Sequence, residues 1–186
     1  MLTVKIPEMP EIELYNSSQN LFTTLPRVKE QTLTLEHSLI SMSLWESRWK
    51  TPFLKSEKKT TEQTIDYIRC MTINKNVDPE VYQRLPASVV LQIQQYIDDP
   101  MTATTFSGTP ERKASNKIVT TEEIYWMMTA FNIPFECEKW HWNRLWTLIR
   151  ICSIKNQPPK KMSKRDILQR NKALNEARRK AYGSSG

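Results

Sequence analysis

Glycine is nearly missing from this chain: three residues of 186, against eleven prolines. That shortage disfavours glycine-rich phosphate loops and β folds dense in tight glycine turns. It suits helices that stop at prolines. Cysteine is scarce too. Cys70, Cys137 and Cys152 are odd in number and sit among apolar residues, so reduced thiols in a cytosolic protein are expected rather than a disulfide framework. No apolar run is long and charge-free enough to span a bilayer. The N-terminal Met-Leu-Thr-Val-Lys-Ile-Pro lacks the long apolar core of a signal peptide. Phosphate-binding loop, nucleophile elbow and dinucleotide fingerprint are all absent, as are internal repeats and low-complexity tracts. Enzyme is therefore the weakest class, and neither cofactor nor metal is expected.

Charge is plentiful but unevenly placed. Residues 160–186 hold nine basic side chains (Lys160, Lys161, Lys164, Arg165, Arg170, Lys172, Arg178, Arg179 and Lys180) and two acids, Asp166 and Glu176. This segment carries the whole net +7, and residues 1–159 are balanced at eighteen of each sign. The chain reads as a neutral body with a basic C-terminal arm. A chain of this length buries roughly 70% of its extended surface on folding, so one domain needs no staple.

The stretch Asn132 to Pro159 is the expected centre. Trp142, Leu145, Trp146 and Ile149 fall on one helical face, and Leu148 and Ile151 widen it. Pro134 suits the first turn and Pro158-Pro159 ends the helix. Such a broad apolar face predicts burial from more than one side. Upstream, Leu2–Ile6 and Val28–Leu35 alternate apolar and polar, predicting two strands that pair across a long loop. Ser38 caps a helix carrying Leu39, Met42, Trp45 and Trp49. Thr60 with Gln63 forms a capping box before Ile65, Ile68 and Met71. Asp78-Pro79-Glu80 starts a short helix, and Pro86 opens another with Val89, Val90, Ile93 and Ile97. Residues 100–119 read as a surface loop. Thr120 with Glu123 then caps a helix bearing Ile124, Trp126, Met127 and Met128. Ser163 caps a last helix ended by Gly183, with a thin stripe of Ile167, Leu174 and Ala181 that is marginal alone in water.

Few residues suggest chemistry. Cys137 and His141 share a helical face at i and i+4, a spacing fit for two zinc ligands, but no second pair stands at motif spacing. Ordinary packing is the preferred reading. Tryptophans at helical spacing beside leucines belong to a core more often than to a binding platform. Trp140 and His141 lie off the main stripe and are the exposed candidates. The basic arm offers docking on an acidic protein surface or on phosphates. Without an RNA-binding signature or a Cys-His finger, a protein partner is preferred.

Two long stretches carry a family resemblance. IYWMMTAFNIPFECEKWHWNRLWTLIRICSIKNQPPKKMS followed by KRDILQRNKALNEARRKAYG, and upstream EQTLTLEHSLISMSLWESRWKTPFL with TTEQTIDYIRCM, resemble the tail assembly chaperones of long-tailed bacteriophages. The resemblance is weakest over residues 1–27 and 100–119. It implies a largely helical, non-enzymatic protein of the host cytoplasm. It also implies a partner, the tape-measure protein, kept soluble while tail-tube subunits polymerise around it. Met127 and Met128 would serve an adaptable apolar groove if exposed.

The expectation is a mainly α protein of about seven helices with a small N-terminal β element (1–159) and a basic C-terminal helical arm (160–186). Its expected role is binding of the tape-measure or other tail proteins, with self-association as a further option and no membrane partner. The alternatives are a structural virion protein of the tail or neck, and a nucleic-acid-binding module using the basic helix.

Overall fold

The computed structural model describes residues 1–16, 20–55, 57–106, 119–157 and 163–183. The chain divides into two units, Met1–Ser153 and Ile154–Gly186. Strands β1 (Leu2–Ile6), β2 (Ile12–Asn16), β3 (Leu21–Leu25) and β4 (Gln31–Leu35) come first. Helices α1 (Leu39–Trp49), α2 (Thr61–Met71), α3 (Glu80–Gln83), α4 (Ala87–Asp98) and α5 (Thr121–Ala130) follow. A 3-10 helix (Phe135–Lys139), α6 (Trp142–Lys155) and α7 (Lys164–Tyr182) complete the chain. Among the described residues the fold is mainly α, seven α-helices beside a small N-terminal β element.

β1 and β4 pair antiparallel from Leu2↔Leu35 to Ile6↔Gln31, as the alternation predicts. The expected long loop between them is instead structured. Met9 bridges Val28, and β2 pairs β3 from Ile12↔Leu25 to Asn16↔Leu21. The register never slips between these blocks, so they form one two-stranded ribbon. Pro7, Pro10 and Pro26 interrupt its ladder because they lack an N–H. At the root, Val4, Ile6, Leu33 and Leu35 are buried. Met9 and Val28 point to the opposite face of a flat ribbon, yet they are buried as well. The ribbon therefore rolls over as it leaves the body. Arg84 steadies this neck, its guanidinium donating to the carbonyls of Pro26 and Pro10 at 2.8 Å each.

Local capping follows the sequence closely. Ser38 and Thr60 both close reciprocal capping boxes, with Ser41 and Gln63. Thr120 accepts from the Glu123 amide and Ser163 from the Asp166 amide. Gly183 ends α7 in the left-handed region at φ 61°. Each cap satisfies amides that the first turn leaves without helical partners. Asp78 accepts from the Glu80 amide at 3.0 Å and starts α3.

The centre of the body is α1, not the tryptophan-rich stretch. α1 packs on α2, α5 and the 3-10 helix, and Leu39, Met42 and Trp45 are almost wholly buried. The stretch expected as one long helix breaks after the 3-10 turn. Trp140 is extended, and His141 bridges Ser38. Burial of α6 is confined to the face of Trp142, Leu145 and Ile149, while Trp146 and Ile154 are exposed. The break diverts backbone pairing to the Ser38 segment, so Cys137 and His141 do not share a helical face. α7 exposes every residue along its length.

One buried carboxylate joins three parts of the body. Glu46, on α1, accepts from the Phe53 amide at 2.6 Å, and from the Thr121 amide and hydroxyl at 3.0 and 2.6 Å. Thr121 opens α5, so the acid also sits at the positive end of that helix. Glu46→Ala would leave these donors without their acceptor in a buried place. A loss of about 3 kcal/mol is expected in urea unfolding, with the far-ultraviolet spectrum of the folded protein unchanged.

Candidate functional site

The residues that suggested chemistry are used in packing. His141 is buried, and both its ring nitrogens are engaged. The carbonyl of Tyr96, 2.9 Å from Nε2, can only accept, so Nε2 carries the proton. Nδ1 in turn accepts from the Asn143 amide at 3.3 Å. This fixes the neutral tautomer and leaves no lone pair for a metal. Cys137 is buried on the 3-10 helix, and burial raises its thiol pKa. All three cysteines are free thiols.

His37 lies edge-on to His141, ring centroids 5.1 Å apart. Its Nδ1 meets the hydroxyl of Tyr67. Burial, then the neighbouring His141 and Lys59, push the His37 pKa down to about 3. Burial likewise lowers His141 and raises Tyr67 well above the usual phenol range. The cluster is thus neutral at physiological pH, a polar seam inside the body.

An apolar cleft opens beside this seam. It holds about 410 Å³ and is lined by Met1, Ile40, Leu44, Cys70, Met71 and Ile73, with Glu36 and Lys139 as charged members. Leu44 and Ile73 are exposed at it. The segment after α2 shapes one wall, because the Ile73 amide donates to the Thr34 carbonyl at 2.9 Å and extends the β1–β4 sheet. Glu36 is held by the Tyr96 hydroxyl at 2.6 Å and by the N-terminal amino group at 2.9 Å. The Cys70 thiol is pushed up to about 11, by burial first and then by the Asp66 carboxylate. It stays protonated at neutral pH and acts as an apolar wall rather than a nucleophile.

The residues expected to bind a partner are distributed differently. Lys164, Arg165, Arg170, Lys172, Arg178, Arg179 and Lys180 all lie on α7 and are exposed. Lys160 and Lys161 lie outside the described residues. Trp140 is half-buried, with the Arg144 guanidinium over its ring at 4.3 Å. One face of that ring is therefore taken by a cation from the same body. Trp126 on α5 is 69% accessible, well above the other exposed tryptophan, Trp146. Met128 is buried and Met127 half-buried, so neither forms an open groove; the cleft uses Met1 and Met71 instead. Neither the cleft nor the ribbon tip was legible in the sequence. The one available signal for the tip was the apolar content of Ile12, Leu14, Tyr15, Leu21 and Phe22 between turn-forming residues.

The neutral histidines predict how stability depends on pH. The unfolded chain takes up a proton on His37 below about pH 6.5, the ordinary histidine value. The folded chain takes it up only near pH 3. Their contribution is therefore complete above pH 6.5 and is lost as pH falls from there towards 3, at up to ~1.4 kcal/mol per pH unit from His37. Urea midpoints measured between pH 7.5 and 5 should fall, and His37→Asn should flatten that fall.

No helix among the described residues is long and apolar enough to cross a membrane. No family model, no curated protein and no solved structure matches the chain.

Proposed function

We propose that this protein is a non-enzymatic tail assembly chaperone of a long-tailed phage. It would bind apolar helical stretches of the tape-measure protein during tail morphogenesis in the host cytoplasm. The observation that carries this reading is the open apolar cleft, with Leu44 and Ile73 exposed at it. Its volume lies within the roughly 300–1,000 Å³ range of binding pockets. That is room for anchor side chains of an amphipathic helix rather than for the helix itself, as in helix-in-groove recognition. Met1 and Met71 in the lining suit a surface that must adapt to successive, non-identical stretches of a long partner. The family resemblance suggests the partner, and the cleft supports the reading as an apolar surface open to it.

Capture of a tape-measure fragment by the full chain tests the reading. Wild-type protein should retain the fragment. The double variant Leu44→Glu/Ile73→Glu should retain it at least ~10-fold less well, with an unchanged circular dichroism spectrum. Absence of capture by the wild type would sink the proposal. Mass spectrometry should find the protein in infected-cell lysate and not in purified particles; a stoichiometric copy number in particles would favour the virion alternative instead.

A further inference from the structure

The ribbon tip is a surface without a use in the reading above. Residues directly opposite in an antiparallel pair share a face. By the β2–β3 register, Ile12, Leu14, Leu21 and Leu25 therefore lie together, with Thr23 among them. Leu14 is 50% and Leu21 56% accessible. A two-stranded ribbon is marginal in water unless a third strand or a helix covers its apolar face. This one keeps its face open.

α7 has the matching deficiency. Ile167, Leu174 and Ala181 recur every seven residues and form one stripe along the helix. Arg165, Lys172 and Arg179 recur in the same way on the opposite side. Leu174 is 45% accessible, and no residue of the helix is buried. The stripe runs about 21 Å along the helix axis, against about 17 Å for a five-residue strand. Charge matches as well. Residues 11–25 carry Glu11 and Glu13 and no lysine or arginine, whereas residues 164–182 carry seven basic residues and two acids.

We infer that α7 of one copy lies across the β2–β3 apolar face of a second copy, reciprocally, to form a dimer by helix exchange. Each contact buries an apolar stripe on an apolar sheet face, the ordinary way both element types become stable. Glu13 and the Arg165–Lys172–Arg179 row both lie away from the apolar contact, so the opposite net charges act at long range, drawing the basic helix towards the tip and away from a like-charged second α7. Reciprocal exchange closes the assembly at two copies.

Sedimentation of the full chain tests this. The wild type should show a species of twice the 21.9 kDa chain mass. Leu14→Glu spoils the receiving face, and Leu174→Glu spoils the donated helix. Each alone should weaken self-association roughly 100-fold or more. Mixed together, the Leu14→Glu chain still supplies a sound helix and the Leu174→Glu chain a sound ribbon. The mixture should therefore form a heterodimer that neither variant forms alone, which also shows that both are folded. A monomeric wild type would overturn the inference. So would a Leu14→Glu chain that still dimerises, as helix-to-helix pairing requires, a Leu174→Glu chain that still dimerises, as ribbon-to-ribbon pairing requires, or a mixture that stays monomeric.

Discussion

The body depends on the five residues from Thr34 to Ser38, where the ribbon ends and α1 begins. The Thr34 carbonyl accepts from the Ile73 amide, and the Glu36 amide donates to the Met71 carbonyl. The His37 carbonyl accepts from the Trp142 amide, and Ser38 bridges His141. One short extended segment thus receives the end of α2 on one side and the start of α6 on the other. The Glu36 side chain adds the end of α4 through Tyr96. Backbone groups that would be costly to bury alone are satisfied here between elements far apart in sequence. The positions of α1, α2, α4 and α6 refer back to this strip.

The polar residues of the interior serve the same placement. His141 has one proton and one lone pair on its ring, and both are used. Glu46 holds three donors from two elements. Asp66 takes the Arg48 guanidinium at 2.6 Å and the Trp49 indole N–H at 3.0 Å. These groups fix relative placement, because a hydrogen bond inside the protein is costly to break once made. Exposed apolar surface lies at the cleft, the ribbon tip and α7, which all show leucine or isoleucine, and also at Val90, Leu91, Trp126 and Phe135. The cleft and the ribbon tip gather several such residues into one face, whereas scattered apolar residues give no contiguous face.

Some of this was legible in the chain itself. Capping at Ser38, Thr60, Thr120 and Ser163 depends on side chains within three residues of their targets, so spacing alone reveals it. The stop at Gly183 is likewise local, because glycine enters the left-handed region without steric cost. The β1–β4 pairing followed from alternation. The ribbon tip did not, since its apolar residues face water and no burial pattern marks them. The interruption before α6 was also hidden. Trp140 to Trp146 has helical spacing throughout, and only the competing pairing of His141 with Ser38, a hundred residues away, breaks it. Trp126 sits in an apolar run, yet α5 turns it outward because Ile124 and Met128 take the buried side.

The sequence by itself determined the class, the capped helix starts at Ser38, Thr60, Thr120 and Ser163, the stop at Gly183, and the separation of a balanced body from a basic arm. These rest on composition and on interactions that span one turn of helix. Tertiary structure alone decided which helix is central, where the apolar cleft opens, and which tryptophan meets solvent. Those outcomes depend on which faces compete for a shared interior, and that competition is settled between residues distant in the chain. Periodicity can say that a helix has an apolar side. It cannot say whether that side is covered by the body or kept for something else.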